Sequence, residues 1–132
     1  MKIKVLLALL LVAVSALYAD AKKKADNGEP LARFQTQVWD FGTIREDKPV
    51  SHDFEFVNIG NGNFVIINAT AQCGCTRPEY PDKPIAPGKK DKVRVTFNPL
   101  GRPGSFEKTV TLTTNGKPKK IRLKIRGNVI PK

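Results

Sequence analysis

From Arg33 onward, hydrophobic and polar residues alternate with a period of two, which is the pattern of half-buried β-strands. The alternation is clearest near the C-terminus, where four apolar side chains share one face: Ile121, Leu123, Ile125 and Val129. Five earlier segments alternate in the same way: residues 34–41, 51–59, 63–72, 91–97 and 105–115. No segment of this region has the 3.6-residue period of a helix of useful length, so the pattern predicts an all-β domain.

Turn-forming residues separate these segments, at 59–63, 86–91, 98–104 and 114–119. Short strands with one apolar and one polar face indicate two packed antiparallel sheets. We therefore predict an immunoglobulin-like β-sandwich of about seven strands over residues 32–131, with a small barrel as the alternative. Ten inward-facing side chains should form its core: Phe54, Phe56, Val93, Val95, Phe97, Val110, Leu112, Ile121, Leu123 and Ile125.

The first 21 residues differ from the rest of the chain and resemble an export signal. Lys2 and Lys4 precede an uncharged apolar run, residues 5–17, which is followed by small residues as in a cleavable secretory signal. That run is shorter than the ~20 residues that span a bilayer, so we expect no transmembrane segment after cleavage. The predicted location is the periplasm or the extracellular medium, and residues 22–31 are predicted to be a disordered lead-in.

The chain is strongly basic, with 23 Lys and Arg against 12 Asp and Glu. Removal of residues 1–21 takes away two of these basic residues and one acidic residue, which leaves a net charge of +10. Four basic side chains alternate along the last predicted strand and form a candidate polyanion-binding surface, here called the basic stripe: Lys120, Arg122, Lys124 and Arg126. Lys92 and Arg94 are candidates to extend it. A solvated face that protects a sheet edge from pairing is the plainer interpretation.

The predicted partner is an envelope protein or an anionic envelope polymer, and the domain is expected to be a monomer. Nucleic acid is not expected, because no aromatic side chains interleave with the basic residues to stack on bases. An enzyme is not expected either, because the chain has a single histidine and no nucleophile beside a base. The leading prediction is a non-enzymatic binding or scaffold module.

Both cysteines of the chain lie in one short segment, "AQCGCTRPEYPDKP", separated by Gly74 alone. If the alternation along 63–72 continues, Cys73 shares the inward face with Val65, Ile67, Ala69 and Ala71, and both thiols lie at the edge of the core, where the strand ends. His52 begins the preceding strand, and the turn at 59–63 makes the two strands run in opposite directions. His52, Cys73 and Cys75 should therefore meet at one end of the domain.

Two thiolates and an imidazole suit Cu(I) or Zn(II), so Cys73, Cys75 and His52 are a candidate metal site. If the cysteines are oxidised, they form a small-ringed disulfide that is easily reduced. A metal-binding or redox-active protein is therefore the alternative function. The plainer interpretation is that the two cysteines are small buried hydrophobic residues or form an inert local disulfide. The protein is then expected to have no resident cofactor.

Prolines follow the cysteines at positions 78, 81, 84 and 87, with the three-residue repeat of a polyproline II segment. A proline-rich ligand for an aromatic groove is one interpretation. We favour a stiff connector that crosses one end of the sandwich with Ile85 turned inward.

Several motifs occur in a fixed order over residues 34–129: "WDFGTI", "HDFEFVNIGNGNFVI", "CGCT", "PIAPGKKDKVRVTFNP" and "GRPGSFEKTVTLTTN". Together they resemble a bacterial secreted family of unknown function that is marked by a Cys-Gly-Cys-Thr signature. Members of that family are similar in fold to the immunoglobulin-like major-sperm-protein and pilus-chaperone domains. The resemblance implies a sandwich fold and an exported location, and it implies no established activity.

Overall fold

A computed structural model describes residues 28–132. The predicted signal peptide and residues 22–27 of the predicted lead-in lie outside the described residues. The described chain forms eight strands: β1 (Ala32–Phe34), β2 (Val38–Arg45), β3 (Val50–Asn58), β4 (Ile66–Ala71), β5 (Thr76–Glu79), β6 (Lys90–Phe97), β7 (Gly104–Thr114) and β8 (Lys120–Ile130). No helix in residues 28–132 is long and apolar enough to cross a membrane.

The strands make two four-stranded sheets, in the orders β1-β3-β6-β5 and β2-β8-β7-β4. Neighbouring strands are antiparallel except for β2 and β8, which are parallel. The two sheets pack face to face, and all ten residues predicted to form the core are buried between them. The all-β sandwich predicted from the alternation is thereby confirmed, because a shift of one residue in any strand would exchange its two faces.

The structure has eight strands and not the predicted number of about seven, because the sequence pattern did not reveal two short strands. β1 has only three residues, and the chain then crosses from one sheet to the other before β2 begins. β5 lies in the proline-rich segment and contains Pro78, which cannot donate a ladder hydrogen bond. Proline is tolerated there because β5 is the edge strand of its sheet.

The alternation predicted for β4 is wrong at its N-terminal end. A β-bulge lies between Ile66, which pairs with Thr114, and Asn68, which pairs with Thr113. Because the bulge adds one residue, Ile66 is buried while Ile67 is 60% exposed, the reverse of the predicted faces. From Ala69 onward the predicted inward face is correct.

Asn58 is a completely buried polar residue at the end of β3, and its side chain joins three separate segments. Its amide group donates to the carbonyl oxygens of Gly62 and Ile85, both at 2.8 Å. Its Oδ1 accepts the backbone N–H groups of Leu31 at 3.3 Å and Gly60 at 3.0 Å. The side chain therefore holds the chain entry, the turn after β3 and the proline-rich connector together.

The predicted disordered lead-in differs from the structure over residues 28–31, which are held against the turn after β3. The carbonyl of Glu29 accepts the N–H of Asn61 at 3.1 Å, and that of Leu31 accepts the N–H of Ile59 at 2.8 Å. Gly60 is needed in this turn, because a Cβ there would collide with the backbone of residues 29–31. Backbone pairing rather than burial of apolar side chains fixes this segment, so composition did not indicate it.

The connector between β5 and β6 turns Ile85 inward as predicted. Ile85 is buried, and it forms an isolated antiparallel bridge with Phe64 through two backbone hydrogen bonds of 2.8 and 2.9 Å. The centre of the connector is therefore bonded to the segment that precedes β4.

Candidate functional site

One margin of the sandwich, between β2 and β3, carries an exposed pair of aromatic rings. Trp39 on β2 stacks on His52 on β3, with ring centroids 4.0 Å apart and planes 7° from parallel. The His52 ring also meets the edge of Phe54 at 4.7 Å. Trp39 is nevertheless 40% exposed. The Trp39–His52 stack therefore bridges the two sheets and presents one indole surface to solvent.

The imidazole of His52 favours its neutral form. Burial against the aromatic rings lowers its pKa from the ordinary value of 6.5, and the nearby carboxylates of Asp53 and Glu55 oppose this only in part. A neutral ring can stack on the indole without the desolvation cost that a charged ring would have. We therefore assign the neutral imidazole to the stack at neutral pH.

Two open strand edges flank the Trp39–His52 stack. β2 has eight residues and is the longest of the four edge strands, the others having three, six and four. Val38 is 42% exposed beside Trp39. On the other sheet, β1 pairs only with residues 56–58 of β3, so the first half of β3 has no neighbouring strand on that side among the described residues. An exposed apolar edge of this kind is a template for pairing with another chain.

Cys73 and Cys75 are joined by a disulfide in the turn between β4 and β5. Cys75 is only 6% exposed, and Cys73 is partly buried against the core, so the prediction that both lie at the core edge is confirmed. The N–H of Cys75 donates to Cys73 Sγ at 3.3 Å, and Thr76 Oγ1 lies 3.6 Å from Cys75 Sγ. Two backbone bonds fix the turn, from Thr76 N–H to the Cys73 carbonyl at 3.2 Å and from Asn98 N–H to the Cys75 carbonyl at 2.9 Å.

His52 lies at the same end of the domain as the disulfide but does not join it. β6 separates β3 from β5, and Val95 has His52 on one side and Pro78 on the other. Two strand spacings of ~4.8 Å each therefore lie between the histidine and β5. No three His, Cys, Asp or Glu side chains of residues 28–132 are grouped so that they could hold a metal ion.

The predicted metal site of Cys73, Cys75 and His52 is thus not assembled in this conformation. The sulfurs are bonded to each other, whereas copper and zinc take thiolates as ligands. The ring of His52 is meanwhile occupied by its stack on Trp39. Binding of copper or zinc by the reduced cysteines stays a prediction.

The basic stripe lies on the outer face of β8, as the alternation indicates. β8 is a central strand between β2 and β7, so the interpretation that its charges protect a sheet edge is wrong. Two members are paired, Lys124 with Glu107 at 3.5 Å and Arg126 with Asp40 at 3.3 Å. The remaining two have no ion-pair partner among the described residues and lie opposite threonines of β7: Lys120 and Arg122.

Lys92 and Arg94 do not extend the basic stripe, because they lie on β6 in the other sheet. Both bind Asp53 on the neighbouring strand, Arg94 with two hydrogen bonds of 2.8 and 3.2 Å and Lys92 at 3.5 Å. The hydrogen bond from Arg94 holds the pKa of the Asp53 carboxyl below its ordinary value, with smaller contributions from the two positive charges. Asp53 therefore partly neutralises the positive charges of Lys92 and Arg94.

A shallow groove of about 650 Å³ lies on the outer face of the same sheet, between β1, β3 and β6. Its charged lining has both signs: Arg33, Glu55, Lys90, Asp91 and Lys92. It contains no histidine, cysteine, serine or threonine.

The residue that sequence reasoning missed is Trp39, which belongs to a predicted strand but was not singled out. Its importance depends on β2 being an edge strand, which follows from strand order and not from local alternation. The one available signal was composition, because this is the single tryptophan of the chain.

A family model described as "Protein of unknown function (DUF1573)" matches residues 32–129. Among curated proteins, none matches this chain. The solved structures that resemble the fold include a protein of unknown function from Porphyromonas gingivalis W83, with 16% identity, a TM-score of 0.65, and coverage of 80% of this chain and 48% of that one. This chain therefore spans about half the length of that protein.

Two further structures have the same fold. PapD-like domain 7 of human CEP192 has 15% identity and a TM-score of 0.58, over 79% of this chain and 88% of that domain. The VesB protease of Vibrio cholerae has 16% identity and a TM-score of 0.55, over 85% of this chain and 34% of that one. These likenesses show an immunoglobulin-like, PapD-like fold and carry no activity to this chain.

Proposed function

The chain belongs to the DUF1573 family, and we propose that it is an exported, non-enzymatic module of the cell envelope that binds a protein partner. One observation supports this most directly: the longest edge strand, β2, exposes Val38 and Trp39 beside an unpaired segment of β3. The immunoglobulin-like fold supports a binding module over an enzyme, because such sandwiches bind partners through end loops and open edges.

The mode of binding that fits this margin is strand addition. An extended segment of the partner pairs with the backbone of β2, and its alternate side chains contact the exposed indole of Trp39. The other edges are less suitable, because β1 is only three residues long, β5 contains Pro78, and β4 is shorter than β2 and is bulged between Ile66 and Asn68. In β2 the bulge between Asp40 and Thr43 restricts regular pairing to the first part of the strand.

The charge of the chain indicates the chemistry of that partner. The net charge of +10 that remains without residues 1–21 attracts acidic surfaces and speeds their encounter at low ionic strength. The partner is therefore expected to offer an extended segment with apolar side chains at alternate positions, within an acidic protein.

The experiment uses the protein without residues 1–21 as bait in an envelope extract, with mass spectrometry of the captured proteins. Trp39→Ala removes the exposed indole, and Ile67→Ala is the matched control, because Ile67 is an exposed apolar residue on the edge strand of the opposite margin. The proposal expects a captured protein that is retained by the control and lost with Trp39→Ala. A synthetic peptide from that protein should then change the fluorescence of the single tryptophan in the unmodified domain. Equal capture by both variants would contradict binding at this margin.

A further inference from the structure

We propose that the Cys73–Cys75 disulfide is an oxidising site that accepts two electrons from the dithiol of another polypeptide. This activity is separate from the proposed binding function, since it uses the turn between β4 and β5 and not the margin formed by β2 and β3. Its substrate class is a flexible peptide or an incompletely folded protein with two nearby cysteine thiols.

The Cys73–Cys75 disulfide is poorly suited to bracing the fold. A disulfide stabilises a fold mainly by closing a loop in the unfolded chain, and the effect grows with loop length. Here the loop contains Gly74 alone. The turn is already fixed by the hydrogen bonds from Thr76 to Cys73 and from Asn98 to Cys75. The bond therefore adds little to the constraint that the backbone provides.

The two sulfurs of the disulfide differ in their exposure to solvent. Cys75 is 6% exposed and packs in the core, whereas Cys73 is only partly buried. Gly74 is exposed, and a Cβ placed there would meet no atom within 4 Å outside its chain neighbours. An incoming thiolate can therefore approach Cys73 over the open side of the turn, and Cys75 is left as the sulfur that departs.

The exchange moves two electrons from the substrate thiols to the Cys73–Cys75 disulfide. A substrate thiolate attacks Cys73 Sγ, the Cys73–Cys75 bond breaks, and its electron pair leaves on Cys75 Sγ as a thiolate. Thr76 Oγ1, 3.6 Å from that sulfur, can donate a hydrogen bond to the departing charge. The second substrate thiol then attacks the substrate sulfur of the mixed disulfide and releases the Cys73 thiolate. The substrate gains a disulfide, and Cys73 and Cys75 take up the two protons that its thiols lose.

The nature of the substrate follows from the shape of the site. Gly74 is exposed between the two cysteines, and neither cysteine lines the groove between β1, β3 and β6. A flexible chain can reach a disulfide in such a turn. A polypeptide with closely spaced thiols can complete both steps, because its second thiol acts intramolecularly.

The test mixes the oxidised domain with a reduced synthetic peptide that contains two cysteines, and mass spectrometry follows the peptide. We expect one peptide disulfide per protein molecule, formed about tenfold or more faster than with oxidised glutathione at equal concentration. A Cys75→Ser variant mixed with a single-cysteine peptide that is activated as an aromatic mixed disulfide should accumulate a peptide adduct at Cys73, because neither the protein nor the peptide then holds a second thiol to resolve it. Thr76→Val should slow peptide oxidation several-fold, whereas Thr76→Ser should leave it unchanged.

A Cys73→Ala/Cys75→Ala variant separates chemistry from folding. We expect it to unfold at nearly the same denaturant concentration as the unmodified domain, monitored by tryptophan fluorescence, and to oxidise no peptide. Peptide oxidation no faster than with oxidised glutathione would overturn the proposal. So would a large loss of stability in the double variant, since the bond would then be a structural brace.

Discussion

Asn58→Ala is the substitution with the clearest calculable effect on this fold. The side chain is completely buried and makes four hydrogen bonds to backbone groups: Leu31, Gly60, Gly62 and Ile85. Alanine would remove all four, so the N–H groups of Leu31 and Gly60 and the Gly62 carbonyl would lose this partner, while the Ile85 carbonyl would keep only its bond from the N–H of Phe64. Because the four groups belong to three different segments, no small movement of one segment can satisfy them.

The magnitude follows from the surroundings of each bond. A buried hydrogen bond contributes about 1 kcal/mol net, and an unsatisfied buried group costs about 1–3 kcal/mol. The bond to Ile85 is fully buried, while those to Leu31, Gly60 and Gly62 are only partly so and can be replaced by water. We therefore expect a loss of about 3 kcal/mol, a large share of the 5–15 kcal/mol that stabilises a typical domain.

Urea denaturation followed by the single tryptophan measures this loss. Asn115→Ala is the control, because Asn115 also joins two backbone groups, Val65 at 2.8 Å and Asn63 at 3.0 Å, but is exposed. It should cost about 1 kcal/mol or less. An Asn58→Ala domain that loses no more free energy of unfolding than the control would refute the role assigned to this side chain.

Three further predictions concern the core, the histidine and the basic stripe. Leu123→Lys should unfold the domain, because an unpaired charge in the core costs several kcal/mol, whereas Lys124→Glu on the opposite face should cost about 1 kcal/mol or less. Equal stability of the two variants in urea denaturation would contradict the sandwich. Burial lowers the pKa of His52, so the unfolded chain binds a proton on His52 more readily than the folded chain does. The stability that His52 contributes should therefore be complete above pH 6.5 and decline as the pH falls through that value, and the denaturation midpoint of a His52→Phe variant should not show this pH dependence. Arg122→Glu should weaken retention on a heparin column at low salt more than Arg94→Glu does, because Arg94 is already paired with a carboxylate. Equal retention of the two variants would argue against the basic stripe as a binding surface.

The alternation of apolar residues predicted the core because both sheets bury a single face. Within a strand that pairs without interruption, such as β8, the chemical type of each residue decides its face. The prediction failed at β4, since the bulge at Ile67 adds a residue without altering the composition of the segment. It also missed β1 and β5, which are too short for a repeating pattern.

The candidate sites were less predictable than the core, because they depend on which strands become neighbours. The basic residues of β8 suggested an edge strand, yet β8 is central, and its charges only show that its outer face meets water. His52 and the cysteines were correctly expected at one end of the domain. Their separation arises because β6 inserts between β3 and β5, a pairing between distant segments that no local pattern reveals.

The two proposed activities occupy opposite margins of one sandwich. The Trp39–His52 stack lies on the side of β1 and β2, and the disulfide joins β4 to β5, the far edge strand of each sheet. A close-packed core lies between them, and energetic coupling of two sites needs an element with two discrete arrangements that both sites bias. A partner strand on β2 would therefore leave the disulfide accessible, and reduction of the disulfide would leave the indole surface unchanged. The substitutions at Trp39 and at Cys73 and Cys75 can accordingly be interpreted separately, because sites this far apart without shared contacts have additive effects.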